Sequence, residues 1–368
     1  MATSTSNQAW TIPSTASKVT HLMKQTKPVP TPGPKQVLVR MTAASLNFRD
    51  VLVSTRSPAY PGTHKPDLVP GSDGAGTIHT PGLSSTWAGK EGTPVLLHCS
   101  SWLEGDVRNL RGDVVFGGTD VDGTLQEWMV VDDDWIIEAP KNLSAVESAS
   151  LVTAGTTAWA AIRGGLDGRL DGGLEEWKGV WTAKRLQGKT VLTMGTGGVS
   201  CFAIQIAAAL GATVIATSSS DSKLNFVKSL GATHLINYSK TPDWDEEVLR
   251  ITSGNGVDHV IETGGAGTLM KSVNSTRPGG LISLLGILTP NEAISAAFVP
   301  SVLFGAKIVK GCTAFSRDAL AEFAKLVDAN RIKPVIAQSF DFSQMVEAFQ
   351  ALQKQNAVGK IVVKISDI

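Results

Sequence analysis

The sequence predicts an α/β protein in which a β-rich first segment is followed by a doubly wound, six-stranded parallel sheet. Three observations carry this. The chain has 368 residues, which at roughly 150 residues per domain means two domains. From residue 188 the texture changes from short strands broken by Gly and Pro to a regular alternation of apolar strands and helical stretches. The first of those strands runs straight into a glycine-rich turn at Gly195, Gly197 and Gly198. Hydrophobic residues at 42% and charged residues at 18% give an ordinary globular balance. Lys plus Arg and Asp plus Glu are both 33, so the net charge is zero. That argues against a protein that wraps nucleic acid or coats an anionic membrane. Glycine is the outlier at 37 residues, and excess glycine marks places where backbone must turn tightly or approach something closely.

In chain order, residues 37–42, 74–79, 94–98 and 125–131 read as short strands separated by Gly and Pro, the pattern of an irregular barrel or sandwich. Residues 144–163 read as helical, with Ser144 as N-cap and Glu147 at the capping-box position. The stretch 164–187, with Trp177 and Trp181, fits neither texture and reads as an inserted surface loop, or as a flap or subunit contact using the two tryptophans. Strands follow at 190–194, 213–217, 234–238, 258–263, 281–285 and 307–311. Apolar strands alternating with helices imply a parallel sheet covered on both faces. The tail, 317–368, reads as helix, strand, helix and a last strand at 360–365 that returns to the first domain.

The turn after the first of those parallel strands, Gly195-Thr196-Gly197-Gly198-Val199-Ser200, matches G-x-G-x-x-G with Ser200 in the third glycine's place. Strand, turn and helix follow in the order that brings a pyrophosphate to backbone N–H groups at a positive helix end. The second strand ends in Ser218, Ser219 and Ser220, with Lys223 nearby and no carboxylate at its tip. An acid there would bind the ribose 2′-hydroxyl of NAD, whereas hydroxyls and a lysine suit a 2′-phosphate, so the expected cofactor is NADPH. Asp221 reads as an acid at the following helix's N-terminus.

Cys99, Cys201 and Cys312 are odd in number and far apart, which fits a reducing, cytoplasmic address better than a disulfide framework. Residues 1–7 carry no apolar signal core, and no run of eighteen apolar residues occurs. Ser366-Asp367-Ile368 is not a sorting address.

Several motifs together resemble the medium-chain dehydrogenase/reductase superfamily: Ala44-Ser-Leu-Asn-Phe-Arg-Asp50, Pro70-Gly-Ser-Asp-Gly-Ala-Gly76, Ala154-Gly-Thr-Thr-Ala-Trp159, the Gly195 loop, 230–238 and 256–262. The resemblance covers nearly the whole chain. It implies a GroES-like catalytic domain, 1–155 with 317–368, and a Rossmann domain, 156–316. It also implies a homodimer formed through edge strands. In zinc-bearing relatives one cysteine falls near Asn47, a His-Glu pair at Ser72-Asp73 and a second cysteine near Thr153. Around 97–112 only Cys99 stands where a structural zinc takes four cysteines. No metal is therefore expected. Tyr60 resembles the proton-donating tyrosine of metal-free enoyl reductases, and Asn47 an asparagine beside the nicotinamide. Tyr238 resembles a tyrosine that helps hold the adenosine phosphate, and Thr157 lies in a motif beside the cofactor. Gly264, Gly286, Ile287 and Leu288 follow strand ends, where backbone contacts to ribose and carboxamide are expected. Arg49 and Asp50 read as an internal ion pair or as substrate groups, with the ion pair favoured, and 102–111 as a segment near the substrate mouth. The activity implied is an NADPH-dependent, zinc-independent reduction of an activated C=C in an enone, enoyl thioester or quinone. The alternatives are a metal-free carbonyl reductase or alcohol dehydrogenase, and a non-catalytic NADPH-binding protein.

Overall fold

The computed structural model describes residues 5–60, 64–105, 107–110, 115–118, 120–164, 185–289, 293–313, 315–330 and 332–366. The inserted stretch with Trp177 and Trp181 lies outside the described residues except for its two ends. Two compact units divide the chain, Met1–Ala154 with Ser316–Ile368 and Gly155–Phe315.

The first unit begins with β1 (Ser6–Thr11) and β2 (Met23–Pro28), an antiparallel pair with no counterpart in the sequence reading. Both are half polar and lack a sustained alternation. Next come β3 (Gln36–Leu46), helix α1 (Phe48–Ser54), β4 (Asp73–Pro81), β5 (Pro94–Leu97), β6 (Trp128–Asp132) and β7 (Ile136–Glu138). The expected strand 125–131 therefore starts later. Residues 125–127 instead bond to β1, through Trp10 N to Leu125 O at 3.0 Å and Glu127 N to Gln8 O at 3.0 Å.

The helix expected over 144–163 is broken. Its capping box is present: Glu147 N donates to Ser144 Oγ at 3.3 Å, and Ser144 N to Glu147 Oε2 at 2.8 Å. After α2 (Ala145–Ala149) the backbone widens into a π-helical turn, Leu151–Gly155, before α3 (Thr156–Arg163). Such turns are rare and cluster where a side chain must be re-aimed.

In the second unit β8 (Thr190–Met194), α4 (Gly198–Ala209), β9 (Thr213–Ser218), α5 (Asp221–Lys228) and β10 (His234–Asn237) build one half. The other half holds α6 (Trp244–Ile251), β11 (Val257–Glu262), α7 (Ala266–Ser275), β12 (Thr276–Leu284), α8 (Phe298–Phe304) and β13 (Ile308–Gly311). The six strands lie in the order β10-β9-β8-β11-β12-β13, with every pair parallel. This is the doubly wound Rossmann order, which reverses between β8 and β11. Leu192, Ile215, Val260 and Ile282 from the sheet pack with Trp244, Val248 and Val273 from α6 and α7.

The tail supplies α9 (Arg317–Asn330), β14 (Ile336–Asp341), α10 (Met345–Gln353) and β15 (Lys360–Lys364). β15 pairs antiparallel with β3 and parallel with β14, so one seven-stranded sheet joins strands from the two separate stretches of the first unit. α10 packs on β15 and on α1. Phe349 of α10 is fully buried. Phe349→Ala should therefore lower unfolding stability by about 3–5 kcal/mol in denaturant titration, the usual cost of emptying a buried phenylalanine site.

Candidate functional site

A connected polar cluster lies inside the first unit. β3 ends at Leu46, and Asn47 starts α1, its backbone N–H donating to Asp50 Oδ2 at 2.7 Å. The Asn47 amide nitrogen donates to Ser72 Oγ at 3.2 Å, and Ser72 Oγ donates to Asp73 Oδ1 at 2.8 Å. The π turn aims Thr153 at the same carboxylate: its Oγ1 donates to Asp73 Oδ1 at 2.5 Å and its N–H to Oδ2 at 3.1 Å. Lys360, opening β15, completes the cluster. Its Nζ donates to Leu46 O at 2.7 Å and to Asn47 Oδ1 at 2.5 Å, and lies 3.8 Å from Asp73 Oδ2. Asp73 is fully buried and Lys360 nearly so.

Asn47, Ser72, Asp73 and Thr153 are the four positions where the resemblance places zinc ligands. The structure brings them together, but bonded to one another. The set offers an amide, two hydroxyls and one carboxylate already occupied by its neighbours, with neither thiolate nor imidazole. It does not fit the N/S-rich tetrahedral site that zinc takes. Cys99 shares this environment, and burial pushes its thiol up to about 11, away from the thiolate that binds metal. Burial likewise drives the neighbouring His98 down to about 4. No group of three or more His, Cys, Asp or Glu placed to hold a metal occurs among the described residues.

Lys360 and its pairing with Asp73 are absent from the sequence reading. The one available signal is a lysine opening a strand whose next three residues are apolar, Ile361, Val362 and Val363. Its partner lies hundreds of residues away, and no local pattern can name it.

Tyr60 belongs to the same unit. An ideal Cβ on Gly118 would lie 2.7 Å from the Tyr60 hydroxyl oxygen, so glycine at 118 makes room for that hydroxyl. Arg49 is within electrostatic reach of Asp50, Cys99, Tyr60 and Asp73. The Arg49–Asp50 pair is looser than the sequence suggests, with Nη2 3.9 Å from Oδ1. That exceeds hydrogen-bonding distance.

The other candidate residues all lie in the second unit. Gly195 follows β8 with φ of 73°, a conformation that favours glycine, and Gly197 caps α4. A Cβ on either would meet nothing within 4 Å, which leaves space for a pyrophosphate against Gly195, Thr196, Gly197, Gly198 and Val199. Ser200 fills the third glycine's place by donating to Met194 O at 2.6 Å, tying the helix to the strand it follows. Ser218 ends β9 buried, Ser219 is exposed and Lys223 half-buried. Asp221 is held by Asn237 Nδ2 at 2.6 Å and Lys240 Nζ at 2.5 Å, bonds that also lower its pKa. Tyr238 is 42% exposed, and its N–H donates to Ser218 O at 3.0 Å. Thr157 is half-buried on α3.

Behind β11, buried Glu262 accepts from Gly264 N at 2.7 Å, Gly265 N at 3.1 Å and Thr268 Oγ1 at 2.7 Å, and from Ser272 Oγ. Thr289 Oγ1 donates to Gly264 O at 2.7 Å, which ties that turn to the segment carrying Gly286, Ile287 and Leu288. Ile287 and Leu288 are 53% and 46% exposed. The parts fit a dinucleotide: an open glycine turn at the sheet's reversal point, a strand tip without a free carboxylate and two tied loops.

Family models match both halves of the chain, the alcohol dehydrogenase GroES-like domain at 33–141 and the zinc-binding dehydrogenase at 198–329. A zinc-type alcohol dehydrogenase-like protein of Schizosaccharomyces pombe is 37% identical over 338 residues, 90% of this chain and 92% of that one. A mitochondrial NAD(P)H oxidoreductase of Mus musculus is 30% identical over 354 residues, 90% of this chain and 82% of that one. A Sinorhizobium meliloti crystal structure assigned as an alcohol dehydrogenase is 32% identical, covers 99% of this chain and 100% of that one, and superposes with a TM-score of 0.84.

Asp50 gives the site a pH signature. Desolvation raises its carboxyl to about 6, against the opposing charge of Arg49. A folded pKa above the unfolded one means that the folded state binds the proton more tightly. Asp50 therefore favours folding most at acid pH, and that contribution is lost as pH rises from about 4 to about 6. The unfolding free energy of Asp50→Asn, set against the parent, should improve progressively across that window in urea titrations. A difference that stays flat from pH 4 to 7 would contradict the raised carboxyl.

Proposed function

The chain belongs to the medium-chain dehydrogenase/reductase superfamily as an NAD(P)-dependent oxidoreductase, and from that premise we propose that it is an NADPH-dependent, zinc-independent reductase of activated C=C bonds. Its substrates on this reading are enones, enoyl thioesters or quinones. One observation carries the reading: the four zinc-ligand positions are closed into a hydrogen-bonded lock with Lys360. Without a Lewis acid to polarise an alcohol, reduction of a conjugated C=C through an enolate is the easier chemistry.

Residues 1–155 with 317–368 form the substrate domain in this proposal, and 156–316 the dinucleotide domain. The bound dinucleotide supplies the hydride. Tyr60 gives its hydroxyl proton to the substrate's α-carbon and regains one from water. Asn47, fixed by Lys360 and Ser72, presents its amide on the nicotinamide side. The Gly195–Val199 turn holds the pyrophosphate, and Thr157, Gly264, Gly286, Ile287 and Leu288 hold the ribose and nicotinamide end. Ser218, Ser219, Lys223 and Tyr238 hold the adenosine phosphate. Asp221, engaged by Lys240, leaves that phosphate unopposed.

A homodimer is part of the reading. β13 is an edge strand, and Val299, Leu303 and Phe304 of the preceding helix are 67%, 67% and 86% exposed. A cytoplasmic address rests on the three free cysteines. No helix among the described residues is long and apolar enough to cross a membrane. The alcohol dehydrogenase names of the relatives favour a second reading, carbonyl reduction. Product analysis separates the two, since C=C reduction of an enone gives a saturated ketone and carbonyl reduction an allylic alcohol.

NADPH should support turnover of an enone and quinone panel better than NADH under identical conditions. Lys223→Ala should erode that preference by roughly tenfold through KM for NADPH, one charge-assisted contact's worth. Equal use of NADH by the parent would sink the cofactor assignment. Tyr60→Phe should lower kcat by about 10²-fold, the usual contribution of a positioned proton donor. A Tyr60→Phe variant at full rate would remove Tyr60 from that role.

A further inference from the structure

We propose that Arg49 holds the negative charge that forms on the substrate's carbonyl oxygen, a role that rests on the reductase reading above. The Arg49 side chain is 22% exposed. Its Nε and Nη2 are sheltered from solvent with no hydrogen-bond partner among the described residues. These two nitrogens share one edge of the planar guanidinium, the edge that binds an oxyanion side-on through two parallel N–H groups. Asp50 does not fill that edge. Its Oδ1 is 3.9 Å from Nη2 and itself lacks a hydrogen-bond partner among the described residues. Asp73 is already taken by Ser72, Thr153 and Lys360.

Lys360 and Arg49 both serve this cluster, and they differ in how their donors are used. Lys360 spends its ammonium on Leu46 O, Asn47 Oδ1 and Asp73. Arg49, within electrostatic reach of Cys99 and Tyr60, keeps the two N–H donors of one edge unpaired. Charged donors sheltered without partners are costly, and an anion arriving among them relieves that cost. The geometry therefore points to a ligand oxygen that becomes negative during reaction.

The step balances as follows. A bound reduced dinucleotide would supply the hydride that bonds to the β-carbon. The C=C electron pair moves to form the enolate, and the C=O pair moves onto oxygen, where Arg49 holds it. As the enolate collapses, the α-carbon takes the Tyr60 proton and water restores it.

The test compares Arg49→Met, Arg49→Lys and the double variant Arg49→Met/Asp50→Asn with the parent, as full chains, on cyclohexenone, an enoyl thioester and a benzoquinone. With the best substrate, kcat/KM of Arg49→Met should fall about 10²-fold or more, as when an oxyanion donor is lost. Arg49→Lys should recover part of it. The kinetic isotope effect with NADPH deuterated at the transferred position should rise, because hydride transfer becomes slower than other steps. NADPH affinity should change less than about twofold, and the double variant should melt no lower than the parent. An Arg49→Met variant within about threefold of the parent in kcat/KM, or with an unchanged isotope effect, overturns the assignment while the reductase reading stands. A parent inactive on all three substrates overturns the reductase reading instead. Arg49 is then judged by binding of benzoate, a stable oxyanion, followed by tryptophan fluorescence. Loss of benzoate binding in Arg49→Met upholds the anion site, and equal binding by both proteins overturns it.

Discussion

The buried pairing of Lys360 with Asp73 is the constraint on which the first unit depends. Burying an ammonium and a carboxylate is tolerable only when each finds a charged partner and its remaining donors and acceptors are satisfied. Here Lys360 comes from the last strand, Asp73 from the start of β4, Asn47 from the end of β3 and Thr153 from the π turn. The charges are satisfied only when all four segments are in place. The sheet joining β15 to β3 and the helix broken at 151–155 thus answer one electrostatic requirement. Removing either partner would leave the other charge stranded, typically a loss of about 3–5 kcal/mol.

On the zinc-independent reading proposed above, the same constraint takes the structural part that a metal ion plays in zinc enzymes of this fold. A zinc ion ties its ligands' segments together through coordinate bonds. In this chain hydrogen bonds from Asn47, Ser72 and Thr153, together with the Lys360 charge, connect the corresponding positions. The lock is polar and internally balanced, so what it supplies is alignment and not Lewis acidity. Any polarisation of substrate must come from a group outside it.

Much of the second unit was legible because its signals are local. Apolar strands and the Gly195 turn each fall within a few residues, and six strands emerged with boundaries off by few positions. The break in the 144–163 helix was not legible, since the carboxylate that its widened turn meets, Asp73, is far off in the chain. Nor were β1 and β2, whose half-polar strands have no clean alternation and are fixed by pairing with each other and, for β1, by the 125–127 segment. For the site, the glycine turn and the serine-rich strand tip could be read directly. Lys360 and Glu262 could not, because each is defined by a set of partners that only the fold assembles.

Charge placement distinguishes the two units. Glu262 is buried, yet four donors converge on it, two backbone N–H groups and two hydroxyls, so its charge is spent on shaping a turn. Lys360 and Asp73 are spent on each other and their neighbours. Arg49 differs from these three, with an ion-pair partner too far for a hydrogen bond and the two N–H groups on one edge of its fork unpaired. A sheltered guanidinium with unpaired donors, within electrostatic reach of Tyr60, contributes little to stability. Stability alone would favour replacing it with an apolar side chain of similar volume. Its retention makes sense where the missing partner is supplied by what the site binds, and a negative oxygen is the partner whose geometry that edge matches.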